Sequence, residues 1–365
     1  MASLSVLKSV PVKQAAKKKF WETIDTHLEG IIDPSPINLD ELAGFFDGDG
    51  SFYMSGQQHM SCAVTQCSYK TLRKIQDVFG GIIRKRDPKK EGTHRKKQRI
   101  QYTLVFRGIS LVGIVPFIKD RLIRKSHNAN IIMKIMSYYN ETTEEAAKAR
   151  RELQATMSED HVIPYERVNW EYIRGLFEAE GCVQPHSLSI AQKDDLVLLG
   201  KIKAFAEDYF NIKPIGKVDH QCWIVHKNAA LVVNMLNESD MFHQEKADQI
   251  AAFIARDFGA ITYFKHIEED VPDDIIKEGN DRSKELSHKI REAWHGSFET
   301  YASRPAKDRQ PVQFGDRPPK LTETQIQEII TLRESTSMSL KAISEKVGGT
   351  KEQITYALKK RKNLS

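Results

Sequence analysis

The sequence predicts an α+β protein: two copies of one αββαββα unit, each closed by a further helix, followed by a small all-α domain. Three observations predict it. One motif recurs at a spacing of about 130 residues, far longer than a solenoid repeat. Behind each occurrence the hydrophobic pattern moves between strand alternation and helical stripe in the same order. From Leu321 the pattern is helical again, with capping boxes at Thr322/Gln325 and Thr350/Gln353.

Residues 1–37 read as a basic arm, in which Met1 to Trp21 holds five Lys and no acid. The first half, 38–140, begins with the helix start LDELAGFFDGDGSF from Leu39 to Phe52. Strands are predicted at Ser51 to Ser55 and Met60 to Cys67, and a helix at Lys70 to Phe79. A second strand pair follows at Gly81 to Asp87 and Gln98 to Arg107, then helices at Ile109 to Leu122 and Ser126 to Tyr139. The charged, Ala-rich stretch Glu141 to Glu159 predicts a helical linker within 141–165, ending before Pro164. The second half, 166–258, begins with WEYIRGLFEAEGCV from Trp170 to Val183 and continues as a hairpin (Cys182 to Gln192) and a helix (Asp194 to Phe210). Strands at Ile212 to Asp219 and Gln221 to Lys227 and helices at Asn228 to Leu236 and His243 to Arg256 complete it. Residues 259–320 read as irregular, with an acidic run at Glu268 to Asp274 and a Pro-rich tether from Pro305 to Pro319; 321–365 is the terminal domain.

Composition narrows the class. With 365 residues, 40% hydrophobic and 8% aromatic, the chain is neither a disordered tail nor a fibre. Its longest apolar run, Ile109 to Ile118, is interrupted by Pro116 and stopped by Lys119, well short of the roughly 20 residues a bilayer requires. A soluble protein with no membrane partner is expected. Cys62, Cys67, Cys182 and Cys222 form no CxxC pair, which suits a reducing intracellular compartment and argues against structural zinc. Organelle, viral and phage origins are not separated, and the basic first 21 residues, lacking Arg, only weakly suggest a transit peptide. The net charge of +6 hides a segregation: Met1 to Trp21 carries +5, Arg84 to Arg99 +7 and Leu340 to Ser365 +5, which leaves −11 on the rest. Clustered cations of this kind are the footprint of phosphate binding.

Gly44 and Gly48 share one helix face, as do Gly175 and Ala179. Small residues so placed let two helix backbones approach, and each motif helix carries matching apolar sides (Leu42, Phe45, Phe46; Ile173, Leu176, Phe177). Packed together, they would end side by side at Asp49 and Glu180, each followed by a stop glycine, Gly50 and Gly181. The helix dipole opposes an acid in the last turn by about 0.3–1 kcal/mol, and two such ends repel each other. Stability alone does not choose this pattern, so it points to a cation held between the ends; two carboxylates completed by water and phosphate oxygens suit Mg²⁺. An EF-hand fails, since counting from Asp47 puts Phe52 where Gly and Gln58 where Glu are required.

LAGFFDGDG (Leu42 to Gly50) and IRGLFEAEG (Ile173 to Gly181) resemble the two motifs of single-chain LAGLIDADG homing endonucleases, over roughly residues 38–258. The resemblance implies two pseudo-symmetric halves joined at the motif helices, with two four-stranded sheets forming a saddle over the DNA major groove. It implies that Asp49 and Glu180 bind catalytic Mg²⁺ (or Mn²⁺) beside the carbonyls of Gly48 and Ala179, and that Asp47 and Glu178 are structural. Gln66 and Gln192 take the polar strand-end positions near the reacting water. Lys125, in RKSHNAN, takes the basic position near the scissile phosphate; in the second half HQEKADQ offers His243 or Lys246. The implied activity is site-specific double-strand cleavage of long, non-palindromic DNA by a monomer, as in intron homing, leaving short 3′ overhangs with no covalent intermediate.

From Gln98 to Arg107, Ile100, Tyr102, Leu104 and Phe106 alternate with Arg99, Gln101, Thr103 and Arg107, giving one apolar and one DNA-reading face. The preceding strand adds Arg84, Lys85 and Arg86, and the basic loop between them would grip phosphates. The second half has only the short, nearly neutral hairpin Val218 to Cys222, so the two half-sites should be bound unequally. Leu340 to Lys362 has helix-turn-helix spacing, with Ile343, Val347 and Ile354 as core and Gly348 as the turn. It resembles resolvase-type domains, with Ser344 where that pattern usually has Ala. Lys351, Gln353, Thr355 and Tyr356 would face the major groove and Lys359 to Lys362 phosphates; a protein-binding three-helix module is the alternative. Two rivals share the main fold: an RNA-splicing maturase, which would bind intron RNA, and an inactive DNA-binding regulator, which would lose the acids present here. The start at Met1 and the ending Asn363-Leu364-Ser365 argue against an intein.

Overall fold

Asn38 opens α1 (Leu39–Asp49) by accepting the amides of Asp40 and Glu41 at 3.0 and 3.2 Å. Gly50 ends the helix with extended backbone and passes directly into β1 (Gly50–Ser55). Then come β2 (His59–Gln66), α2 (Tyr69–Phe79), β3 (Ile82–Arg86) and β4 (Gln101–Arg107), an antiparallel sheet in the order β1-β2-β4-β3. A 3₁₀ turn (Gly108–Gly113), the short α3 (Val115–Ile118), α4 (Ser126–Met136) and α5 (Glu144–Ala155) lead to α6 (Trp170–Glu180). The second half holds β5 (Gly181–Gln184), β6 (Ser187–Ala191), α7 (Leu196–Phe210), β7 (Lys217–Asp219), β8 (Cys222–Val225), α8 (Ala229–Asn237) and α9 (Gln244–Ile254). Its sheet runs β5-β6-β8-β7, the order of the first.

The structure, a computed structural model, has two compact units, Met1–Ser303 and Arg304–Ser365. It describes residues 28, 30–55, 59–87, 99–138, 144–237, 244–257, 259–261 and 269–301 of the first, and 327–329, 331–332, 343 and 346–347 of the second. Each half of the first unit has its own core between the inner face of its sheet and its helices. Leu42, Phe45, Cys62, Leu104 and Phe106 belong to one; Ile173, Leu176, Ile190, Trp223 and Val225 belong to the other. In the second unit the described residues of 327–332 and 343–347 are helical, and Ile329, Ile343 and Val347 are buried, the last two as expected; Ile354 lies outside the described residues. Among the described residues no helix is long and apolar enough to cross a membrane.

Three segments differ from expectation. The continuous helix Ile109 to Leu122 is a 3₁₀ turn and a short α3, because Pro116, at the start of α3, donates no backbone hydrogen bond to an earlier turn. The strand predicted from Ile212 shrinks to Lys217–Asp219, after Pro214, which has no N–H, and Gly216 at φ 81°. The largest correction falls within 259–320, expected to be irregular: Asp273–Tyr301 is a single helix, α10, inside the first unit. Its buried stripe, Ile276, Gly279, Ser283 and Ile290, has helical spacing. Asn280 seals the edge strand β3, its Oδ1 accepting the Ile83 amide at 2.8 Å and its Nδ2 donating to the Ile83 carbonyl at 2.9 Å. Ser283 donates to the Gly81 carbonyl, and the Tyr102 hydroxyl donates to the Glu269 carbonyl at 2.8 Å and accepts the Val271 amide at 2.9 Å. The chain after the second half thus closes the sheet of the first.

Candidate functional site

α1 and α6 pack backbone to backbone. A methyl on Gly44 would meet Tyr172 O and, at 2.8 Å, Leu176 N; one on Gly175 would meet Glu41 O and, at 2.8 Å, Phe45 N; one on Gly48 would strike the Ala179 side chain. The small-residue face therefore lies where the sequence placed it, and Asp49 and Glu180 are the last residues of the two adjoining helices. The Asp49 carboxyl is pushed up to about 7, chiefly by burial and then by the Glu180 charge, with Lys125, Lys246 and a hydrogen bond from Gln66 pulling the other way. Gln66, the last residue of β2, donates to Asp49 Oδ2. Gln192 follows β6; its amide N donates to Gln221 O at 2.7 Å, and its buried Nε2 meets no acceptor among the described residues.

Lys125 is the densest meeting point. Its Nζ donates to the carbonyls of Phe46, Asp47 and Gly48 at 2.8, 2.7 and 3.0 Å, a cation at the negative end of α1. Burial lowers its ammonium to about 8, with Asp47 opposing the shift. The loop that carries it is anchored by fully buried Asp47, whose carboxylate accepts from Ile123 N (2.6 Å), Arg124 N (3.0 Å), Lys125 N (2.9 Å) and the Tyr172 hydroxyl (2.9 Å). Burial raises the Asp47 carboxyl, while the Ile123 amide, the charge and amide of Lys125 and the Tyr172 hydroxyl pull it back. In the second half Lys246 donates to the Gly181 carbonyl and lies 5.8 Å from the Phe177 ring centroid. His243, the other option there, lies outside the described residues, while Glu178 is buried, as is Asp47.

Several supporting residues were not visible in the sequence. Tyr172 ties α6 to Asp47; Arg124 pairs with Asp195 at 3.5 Å, Tyr165 donates to Asp195 at 2.9 Å, and Arg167 donates to Leu122 O at 3.0 Å. The Lys125 loop is thus gripped from the linker and the second half. The partners are 30 or more positions apart, so no spacing rule exposes them.

On the outer face of the first sheet, Arg84 registers with Thr103 and Arg86 with Gln101; both arginines are exposed, and the Thr65 and Thr103 hydroxyls meet at 2.9 Å. Lys85 is not with them. Strand alternation puts it on the inner face, where Nζ pairs with Asp270 at 2.5 Å and donates to Val271 O at 2.8 Å. Arg99 precedes the observed strand and pairs with Glu245 at 3.1 Å. Residues 1–27 and 88–98 and the four terminal-domain positions Lys351, Gln353, Thr355 and Tyr356 lie outside the described residues.

No sequence profile of a known family matches the chain, and no curated protein matches it. Solved structures do. The LAGLIDADG meganuclease I-CpaMI, bound to uncleaved DNA, matches at 14% identity and TM-score 0.37 over 74% of this chain and 99% of that one. The I-LtrWI LAGLIDADG homing endonuclease bound to target DNA matches at 14% and 0.43 over 68% and 96%. I-DmoI, in complex with DNA and Ca, matches at 14% and 0.27 over 55% and 90%. At such TM-scores these likenesses bear no weight.

Proposed function

We propose that the chain is a divalent-metal-dependent DNA endonuclease that hydrolyses both strands of a long, non-palindromic site as a monomer. The observation that carries this reading is the pair of carboxylates, Asp49 and Glu180, at two helix ends held together by backbone contact, with Asp49 driven up to about 7 by burial and its neighbour. A fold seeking stability would not place them there. The residues fit a cation of the Mg²⁺ or Mn²⁺ class: Asp49 and Glu180 offer two carboxylates at adjoining helix ends, and water and phosphate oxygens would complete the shell. Such an ion, when bound, supplies Lewis-acid stabilisation of the phosphoryl and leaving oxygens.

The chain's own residues do the rest. Gln66 fixes the Asp49 carboxylate through a hydrogen bond, and Gln192 offers a buried donor at the corresponding strand end. Lys125 and Lys246 supply fixed positive charge beside the carboxylates, for the charge that grows on a phosphate during hydrolysis. Arg84, Arg86, Gln101 and Thr103 present donors on one sheet face, two of them charged and exposed, for phosphates and base edges. The terminal unit adds a second DNA contact through Lys351, Gln353, Thr355 and Tyr356. The test is cleavage of a randomised duplex library in Mg²⁺ and in EDTA, with the ends sequenced. Recovery of one long site cut in both strands only with metal is expected; no site enriched with either Mg²⁺ or Mn²⁺ overturns the proposal.

A further inference from the structure

The Arg99–Glu245 pair joins the first half to the helix that carries Lys246. Nη1 and Nη2 of Arg99 both donate to Glu245 Oε2, at 3.2 and 3.1 Å, while Oε1 accepts from Nε2 of buried Gln249, one turn along α9, at 3.1 Å. The two side chains are only 29% and 19% exposed, so salt screens the pair less than an ordinary surface bridge. Neither end hangs free: Arg99 is followed by buried Ile100 and then β4, and Glu245 sits in the first turn of α9, where the dipole favours an acid. Lys246 is the next residue, about 100° further round the helix. Fixing Glu245 therefore fixes the rotation of α9 that brings Lys246 Nζ to Gly181 O, the carbonyl just beyond Glu180.

We infer that Arg99 is a positioning residue for Lys246 rather than a DNA contact, a latch from one half that holds the other half's lysine beside the paired carboxylates. Only the last step, from Lys246 placement to strand cleavage, rests on the nuclease reading. The latch is tested first without DNA. Full-length parent, Arg99→Ala, Glu245→Gln and the charge swap Arg99→Glu with Glu245→Arg are acetylated with an N-hydroxysuccinimide ester, and modification of Lys246 is followed by peptide mass spectrometry. Each single variant should expose Lys246 to several-fold faster acetylation, and the swap, which restores the ion pair but not the Gln249 bond, should recover part of the protection. Unchanged Lys246 rates in both single variants overturn the inference.

On a site recovered from the library, each single variant should bind as the parent does but accumulate nicked DNA, one strand slowing at unchanged Kd, with the swap restoring part of the linear product. If Arg99→Ala weakens binding while Glu245→Gln does not, Arg99 is a phosphate contact and the inference fails. Equal slowing of both strands also overturns it, as that is general destabilisation. A parent chain that cuts no DNA defeats the nuclease reading, whereas the acetylation rates still decide the latch.

Discussion

Replacing Gly175 with Ala puts a methyl against the backbone of α1, inside contact with Glu41 O and 2.6 Å from Glu41 C. Ordinary contact begins near 3.4 Å, and the obstacle is main chain rather than a side chain able to swing away, so the helices must part by roughly 1 Å. Overpacking of this kind costs about 1–3 kcal/mol; the upper end applies because parting also loosens Leu42, Phe45 and Leu176, all fully buried. Helix propensity returns up to about 1 kcal/mol for Gly→Ala. The net loss is about 2 kcal/mol, which lowers Tm by about 3 °C for a unit that runs from Met1 to Ser303. Gly200→Ala is the internal control: it lies within α7, a methyl there has nothing within 4 Å, and propensity alone should raise stability by about 1 kcal/mol. Thermal unfolding followed by circular dichroism separates the two. If Gly175→Ala melts at or above the parent, as Gly200→Ala should, the backbone seam between α1 and α6 is wrong.

Asp47→Asn turns an acceptor of four hydrogen bonds into an amide whose NH₂ faces donors, and should cost about 2–4 kcal/mol in urea unfolding; a loss below about 0.5 kcal/mol would show that Asp47 does not anchor the Lys125 loop. Asn280→Ala uncovers both backbone groups of Ile83 on the edge strand. Its Ile83 amide should exchange hydrogen much faster and stability should fall by about 2 kcal/mol, whereas unaltered exchange would contradict the sealing role. Truncation after Arg317 should weaken DNA binding and flatten its log-log salt dependence by ~0.9 for each phosphate the terminal unit neutralises. An unchanged slope would mean the terminal unit touches no DNA.

What the sequence revealed and what it hid depend on range. The motif helices, the strand alternation of Tyr102, Leu104 and Phe106, and the small-residue faces Gly44/Gly48 and Gly175/Ala179 are local patterns, and each appears where periodicity puts it. Alternation also marks Lys85, which shares parity with buried Ile83 and so parts from Arg84 and Arg86 despite their common charge. α10 has no apolar periodicity in the sequence because its buried stripe includes Gly279 and Ser283 next to Asn280. Asn280 and Ser283 are there because they meet the backbone of Ile83 and Gly81, and Gly279 because the Arg73 and Gln76 side chains of α2 fill the space a Cβ would take. The Asp47–Tyr172, Arg124–Asp195 and Arg99–Glu245 links join residues far apart in the chain, and only the folded arrangement brings them together.

The central claim is that the paired helix-end acids perform the chemistry and are not needed for the fold. The double variant Asp49→Asn with Glu180→Gln keeps shape while removing both charges, and relieving the repulsion at Asp49 should leave the melting temperature at or above the parent's. Cleavage of the recovered site in Mg²⁺, measured with binding on the same preparation, is the direct test. Parent-like binding with no product on either strand is the expected result. Continued cutting by the folded double variant would contradict it.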